Sequence, residues 1–201
     1  MGESTLTDAE HIVKQAVSFK PFFGKRGGIT FSGGEPTVQA KALIPLFKRL
    51  KEEGIHICVD SNGAIWNNDV EELWKLTDLV MLDIKEFNND RHQYITGRSN
   101  EQPLKTAAWF EANNHPFWLR YVLVPGVSNF DEDLHALGAH FKDYTQLQRI
   151  ELLPYHTLGV HKYEALGWEY KLKDVPVNTP EQKQHAEEIL RHYFNDKLVV
   201  N

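Results

Sequence analysis

The sequence has 201 residues, of which 41% are hydrophobic, and this length and composition are those of one folded domain with a single core. Its formal net charge of −6 and pI of about 5.9 disfavour a nucleic-acid partner, since binding to phosphates calls for a basic surface. No stretch approaches the roughly 20 consecutive apolar residues that span a bilayer, and the first ten residues lack the features of a leader peptide. We therefore expect a single cytoplasmic domain over residues 1–201, with no membrane partner.

Short apolar runs of strand length alternate with helical patterns along the chain. Most of these runs are rich in β-branched or aromatic residues, which is typical of buried parallel strands. The predicted strands are Gly28–Phe31, His56–Asp60, Leu79–Ile84, Phe117–Val124, Arg149–Leu153 and Lys197–Val200.

Helix starts are marked by capping patterns, in which a short polar side chain precedes an acidic or amide residue by three positions. These patterns occur at Thr7–Glu10, Asn68–Glu71, Asn129–Glu132 and Thr179–Gln182. Pro45 lies inside another helical pattern, where it must occupy the first turn or kink the helix.

Successive strand–helix units predict an α/β fold with a parallel sheet, either open and doubly wound or closed as a full or partial barrel. Polar residues follow five of the strands, which is where barrel enzymes place their active sites, and this favours a partial barrel. The five strand ends are Ser32–Glu35, Asp60–Gly63, Asp83–Lys85, Arg120 with Val124–Gly126, and Pro154–His156.

The first of these strand ends contains two adjacent glycines, Gly33 and Gly34, between Ser32 and Glu35. Two missing β-carbons let a ligand approach the main chain, although an ordinary turn between strand and helix also uses glycine. The sequence lacks both the G-x-G-x-x-G and the P-loop patterns here, so a nucleoside triphosphate is not indicated.

The next two strand ends carry Asp60 and Asp83, each after an apolar run. Two carboxylates at the same end of a barrel favour a hard cation or a ligand ammonium between them. Each aspartate alone could instead cap a helix. Lys85 lies two residues beyond Asp83 and therefore on the same face, which predicts an ion pair or a clamp for a ligand carboxylate. The alternative is a Schiff-base lysine of the aldolase type.

Two further strand-end residues are Arg120, inside an apolar strand, and His156, at the end of another. The charge on Arg120 requires a core carboxylate or an anionic ligand. His156 could donate a hydrogen bond or transfer a proton, or simply pack as most histidines do.

Five segments together resemble the radical S-adenosylmethionine (radical SAM) superfamily and, within it, the pyruvate formate-lyase activating enzymes. The segments are "TFSGGEPTVQ", "IHICVDSNG", "LVMLDIK", "WLRYVLVPGVSN" and "IELLPYHTLGVHKY…LGWEYKL". The resemblance implies a partial (βα)6 barrel of the TIM type. It implies an oxidoreductase that cleaves S-adenosylmethionine reductively beside a [4Fe–4S] cluster and abstracts hydrogen from a glycine of a glycyl-radical enzyme.

The resemblance also implies roles for individual residues and identifies partners. Pyruvate formate-lyase is the implied target, and a flavodoxin or ferredoxin is the implied electron donor. A monovalent cation, Na+ or K+, is implied at Asp60, Ser61 and Asp83. The residues implied to bind S-adenosylmethionine are Ser32, Gly33, Gly34, Glu35, Asp83, Ile84, Lys85, Arg120 and His156.

One feature departs from that family. Its cluster is held by three cysteines of a C-x-x-x-C-x-x-C loop after the first strand, whereas this sequence has a single cysteine, Cys58, at an interior strand position. The first strand, the cluster loop and the iron–sulfur ligands are thus expected to be missing. A truncated activase, inactive by itself, is our preferred interpretation. A natural non-catalytic paralogue that binds S-adenosylmethionine or a protein is the alternative.

Overall fold

The computed structural model describes residues 6–24 and 27–200. Within them, six parallel strands form one sheet in the order of the sequence. A doubly wound sheet would reverse its strand order at a switch point, whereas sequential order is that of a barrel. The α/β fold is confirmed, and the strand order agrees with a partial barrel. The strands are β1 (Ile29–Phe31), β2 (Ile57–Ser61), β3 (Leu79–Asp83), β4 (Phe117–Leu123), β5 (Leu147–Pro154) and β6 (Leu198–Val200).

Helices connect consecutive strands, and the described residues also contain three short 3-10 turns, at Lys20–Phe22, Pro36–Gln39 and Asn195–Lys197. The α-helices are α1 (Ala9–Phe19), α2 (Ala40–Glu52), α3 (Asn68–Leu76), α4 (Asn89–Thr96), α5 (Glu101–Ala112), α6 (Asp131–Phe141), α7 (Val160–Ala165) and α8 (Pro180–Phe194).

The predicted capping box of α8 is confirmed. The Thr179 hydroxyl accepts a hydrogen bond from the Gln182 backbone N–H at 3.2 Å, and the Gln182 side chain accepts one from the Thr179 N–H at 3.0 Å. Pro45 lies inside α2, which begins at Ala40, so the structure excludes the first-turn alternative and leaves the interior position.

The other three helix starts each differ from prediction by one residue. Helix α1 is capped by Asp8 instead of Thr7, and α3 by Asn67 instead of Asn68. Several capping residues stand together at these positions, so the sequence pattern does not decide among them. The third, α6, has no side-chain cap, because the Asn129 amide oxygen accepts a bond from the Gly126 N–H instead.

Strand boundaries also differ slightly. The predicted strand His56–Asp60 is shifted by one residue, to Ile57–Ser61, and Arg149–Leu153 starts earlier, at Leu147, and runs to Pro154. The other four strands keep their predicted positions to within one residue at either end.

The two faces of the sheet have opposite characters. Along β4, Phe117, Leu119 and Tyr121 are fully buried, whereas Trp118 and Arg120 between them are half-buried. The buried face packs with apolar residues of the helices into the hydrophobic core. The helices therefore cover one face of the sheet, and the other face is left for polar residues.

A cavity of about 480 Å³ lies where β3 and β4 begin, lined in part by Thr77, Asp78 and His115. This is the end of the sheet opposite to the one where barrels bind their substrates. In the part of the chain that the structure describes, the helices are all too short or too polar to cross a membrane.

Candidate functional site

The open face of the sheet carries a row of charged side chains near the carboxyl ends of the strands. The strand register places Asp83 beside Arg120 and Arg120 beside Glu151. Asp60 lies opposite Met81, two residues before Asp83, so it points to the same face. Four charged residues from four neighbouring strands thus converge on one surface.

Arg120 holds this row together. Its Nη1 donates a hydrogen bond to Asp60 Oδ2 at 2.9 Å, and its Nε lies 3.4 Å from Glu151 Oε2. The side chains of Arg120, Asp60 and Glu151 are all less than one-third exposed. Of the two partners predicted for Arg120, a core carboxylate or an anionic ligand, the structure shows carboxylates on both sides of the guanidinium.

A second arginine supports the row from β5. Arg149 Nη2 lies 2.8 Å from Glu151 Oε1, and the Arg149 guanidinium stacks 4.7 Å above the centre of the Trp118 ring. Arg149, Glu151 and Trp118 were not predicted as site residues, because the apolar runs of β4 and β5 indicated buried strands. The signal was available, since polar or amphipathic residues recur at every second position from Trp118 to Arg120 and from Arg149 to Glu151.

Asp83 occupies the end of β3. Its Oδ2 forms the predicted ion pair with the Lys85 ammonium. Its Oδ1 is buried and has no hydrogen-bond partner among the described residues. A buried carboxylate oxygen without a donor is costly, so a bound ligand with an N–H, an O–H or a positive charge would stabilise it.

Glu35 links the ends of β1 and β2. Its Oε1 accepts bonds from the Thr37 N–H at 3.1 Å, the Thr37 hydroxyl at 2.7 Å and the Ser61 hydroxyl at 2.8 Å. Its Oε2 accepts from the Asn62 N–H at 2.9 Å. The carboxylate therefore caps the Pro36–Gln39 turn and shapes the loop that precedes it.

That loop exposes its backbone. Gly33 and Gly34 have φ angles of 87° and 51°, and a β-carbon on either would meet no atom within 4 Å. The glycines are thus required by the left-handed backbone conformation and not by close packing inside the protein. Ser32 beside them is also exposed, which leaves this main chain accessible to a ligand.

The predicted cation ligands do not all share one face. Ser61 directly follows Asp60, so their side chains point to opposite sides of β2, and the Ser61 hydroxyl is buried against Glu35 and the Gly63 N–H. In residues 6–24 and 27–200, no group of three or more His, Cys, Asp and Glu side chains is arranged to hold a metal ion.

Two further predicted residues lie at the margin of the row. Ile84 is fully buried and its N–H donates to the Arg120 carbonyl, so its side chain belongs to the core and only its backbone lies near the site. His156 is exposed beyond β5, where its Nδ1 accepts a 3.3 Å bond from the Leu158 N–H.

Cys58 lies on β2 with only 8% of its surface exposed. Burial raises the pKa of its thiol to about 11, and the nearby Asp60 carboxylate adds to the rise. A metal ligand must be a thiolate, which this environment disfavours. The expectation that Cys58 is an interior residue is confirmed.

The sequence profile of the radical SAM superfamily matches residues 1–137. The chain is 42% identical to the pyruvate formate-lyase-activating enzyme of Streptococcus mutans over 193 residues, which is 93% of this chain and 73% of that protein. It is also 42% identical to the pyruvate formate-lyase 1-activating enzyme of Escherichia coli K12 over 187 residues, covering 92% of this chain and 76% of that one.

Solved structures agree. A domain of the pyruvate-formate lyase-activating enzyme from Bacteroides vulgatus superposes with a TM-score of 0.71 at 25% identity, covering 87% of this chain and 98% of that one. SuiB of Streptococcus suis, bound to its precursor peptide SuiA, superposes with a TM-score of 0.73 at 14% identity, covering 99% of this chain and 43% of that one. The second likeness concerns the fold alone.

Proposed function

Because the chain belongs to the radical SAM superfamily and, within it, to the pyruvate formate-lyase-activating enzymes, we propose that it binds S-adenosylmethionine at the carboxyl ends of its strands as part of a glycyl-radical-enzyme activase. The family resemblance seen in the sequence is confirmed by the matches to the superfamily and to its activating enzymes. A glycine of a pyruvate formate-lyase is the proposed target, since the relatives are named for activating that enzyme.

The observation that carries the proposal is the buried, unpartnered Oδ1 of Asp83 beside Lys85. Asp83 Oδ1 would accept a bond from the amino group or a ribose hydroxyl, and the Lys85 ammonium would face a ligand carboxylate. The exposed backbone of Gly33 and Gly34 would receive the amino-acid part from the other side. Arg120 and His156 would lie at the edge of the site, and the carboxylates of Asp60 and Glu151 would hold Arg120 in place.

S-adenosylmethionine, when bound, supplies the carbon–sulfur bond that this superfamily cleaves. The residues described fit this ligand, which carries an ammonium, a carboxylate and hydroxyl groups. They do not fit a [4Fe–4S] cluster, because one buried cysteine does not provide three thiolates. The ligands of the superfamily's cluster are therefore not among these 201 residues, and the chemistry assigned to this chain is ligand binding and positioning.

Isothermal titration of the protein with S-adenosylmethionine, in sodium and then in potassium buffer, tests this assignment. Asp83→Asn should weaken binding by about 10- to 100-fold, which corresponds to the loss of one hydrogen bond to a charged group. Asp131→Asn is the matched control, because Asp131 is exposed and pairs with His185 on the helical side. Equal affinity of the two variants would refute the site.

The comparison of sodium and potassium buffers also tests a second element of the proposal, namely that a monovalent cation binds at Asp60 and Asp83. Asp60 and Asp83 share a face, so their carboxylates lie on the same side of the sheet. Affinity that depends on which cation is present, and that loses this dependence in Asp83→Asn, supports a cation there.

The second candidate function, binding without activation, is favoured by the single cysteine. A chimera that joins a C-x-x-x-C-x-x-C segment, the cluster motif that the family resemblance implies, to the amino end of this chain separates the two. Cluster assembly with formation of a glycyl radical in pyruvate formate-lyase supports the activase, and S-adenosylmethionine binding without either supports the binding module. The third alternative, a Schiff-base aldolase, has no support from the family, and Lys85 is paired with Asp83.

A further inference from the structure

Glu86 is a fully buried carboxyl group that directly follows the Asp83–Lys85 strand end. Its Oε1 accepts hydrogen bonds from the backbone N–H groups of Phe87 at 2.6 Å and Asn88 at 3.1 Å. Its Oε2 lies 3.1 Å from the hydroxyl of Tyr121, which is also fully buried. None of the ion pairs found within the described residues includes Glu86.

The number of protons available to the hydrogen bonds among Glu86, Tyr121 and Ser128 indicates whether Glu86 is ionised or neutral. The Tyr121 hydroxyl lies 3.0 Å from the backbone carbonyl oxygen of Ser128 as well as 3.1 Å from Glu86. A carbonyl and an ionised carboxylate are both acceptors only, and a tyrosine hydroxyl has one proton. With Glu86 ionised, one of the two buried acceptors lacks a donor. With Glu86 neutral, its O–H donates to Tyr121, Tyr121 donates to Ser128, and every group is satisfied.

The surrounding charges agree with this assignment. Asp133 on α6 faces the pair, and its carboxylate is bound at 2.6 Å by Arg91 of α4, which also binds Glu132. Burial raises the pKa of Glu86 above its usual range, and the charge of Asp133 adds to the rise. The bonds from Asn88, Phe87 and Tyr121 oppose it.

The same contact ties two strand ends together. Ser128 closes the turn after β4, since its hydroxyl donates to the Val122 carbonyl at 2.7 Å and accepts from the Val124 N–H at 2.9 Å. On the other side, the Asn100 amide donates to the Phe87 carbonyl at 2.5 Å. The segment that follows Lys85 is thus fixed at both sides.

We propose that Glu86 is held as the neutral acid, donates its proton to Tyr121, and thereby positions the strand end that presents Asp83 and Lys85. Glu86 is a positioning residue in this arrangement and does not contact the ligand. The effect on the ligand rests on the proposed function, whereas the protonation of Glu86 does not.

Glu86→Gln tests the protonation, because an amide reproduces the neutral acid: its N–H donates to Tyr121 and its oxygen accepts from Phe87 and Asn88. A raised folded-state pKa gives a stabilisation that is complete below the unfolded-state pKa and is lost as the pH rises through the folded-state pKa. The unfolding constant of the wild type relative to that of Glu86→Gln should therefore rise as the pH increases from the unfolded-state pKa to the raised folded-state pKa, tenfold for each unit of difference between the two.

Urea unfolding across that pH range measures this ratio, with Glu72→Gln, at an exposed position on α3, as the matched control. A ratio that does not change with pH, an equal change in Glu72→Gln, or failure of Glu86→Gln to fold would each overturn the proposal. Carbon-13 NMR of glutamate-labelled protein, with Glu86→Gln identifying the resonance, should show the Glu86 carboxyl titrating above the exposed glutamates.

Titration with S-adenosylmethionine tests the positioning role. The wild type should lose affinity as the pH rises through the Glu86 transition, and Glu86→Gln should not lose it over that range. An identical decline in both proteins refutes the positioning role. Absence of binding in both refutes the proposed function of the site, while the unfolding and NMR results still decide the protonation of Glu86.

Discussion

Glu35→Gln is the substitution that most directly tests how the glycine loop is held. The Glu35 carboxylate accepts three bonds at Oε1 and one at Oε2, and these bonds join β1, the Pro36–Gln39 turn and β2. Glutamine keeps one acceptor oxygen, so it can preserve the bonds from Thr37 and Ser61. Its NH2 group then faces the Asn62 N–H, and no hydrogen bond can form because both groups are donors.

The expected magnitude follows from that mismatch. One bond to a charged acceptor is lost and one partly buried N–H is left unpaired, which costs about 1–3 kcal/mol of unfolding free energy. For a chain of this size, each kcal/mol lowers the melting temperature by about 2–4 °C. Glu35→Ala loses all four bonds and should be the more destabilised variant.

Urea unfolding at neutral pH measures these differences. Thr37→Val is the control, because it removes only the 2.7 Å hydroxyl bond and should cost about 1 kcal/mol. If Glu35→Gln unfolds within about 0.5 kcal/mol of the wild type, the size of an ordinary surface substitution, Glu35 does not hold the loop.

Two other predictions concern single residues. Thr179→Ala removes the hydroxyl half of the α8 capping box and should lower the unfolding free energy by about 1 kcal/mol, whereas Thr179→Ser should retain it, as measured by thermal circular dichroism. Cys58 has a thiol pKa near 11, so iodoacetamide should alkylate it far more slowly at neutral pH in the folded protein than in urea, and equal rates would contradict its burial. Since the folded state favours the neutral thiol, its contribution to stability is complete below about pH 9 and declines as the pH rises towards 11.

The fold was predictable because its signals are local and repeated. Each strand is a short apolar run between polar turns, so the number and order of the strands follow from the sequence. Boundaries were less predictable where equivalent residues compete, as at Asn67 and Asn68, because the cap depends on which backbone N–H groups the fold leaves free.

The candidate site was predictable only in part. Asp60, Asp83, Lys85 and Arg120 were identified because a charge inside or directly after an apolar run is conspicuous in a sequence. Their arrangement required the strand register, which a sequence does not display and which places Glu151 beside Arg120. Glu86 was missed for a different reason, since its burial and its contact with Tyr121 depend on how the turn after β4 closes.

The alternation along β4 explains why the site and the core depend on each other. Leu119 and Tyr121 are fully buried on either side of Arg120, so the backbone that presents the guanidinium is fixed by packing on the opposite face. Close packing leaves little room for that backbone to shift, and the two carboxylates that bind Arg120 restrict the remaining side-chain freedom. A strand that is apolar on one face and charged on the other therefore provides stability and a preorganised site from the same seven residues, Phe117–Leu123.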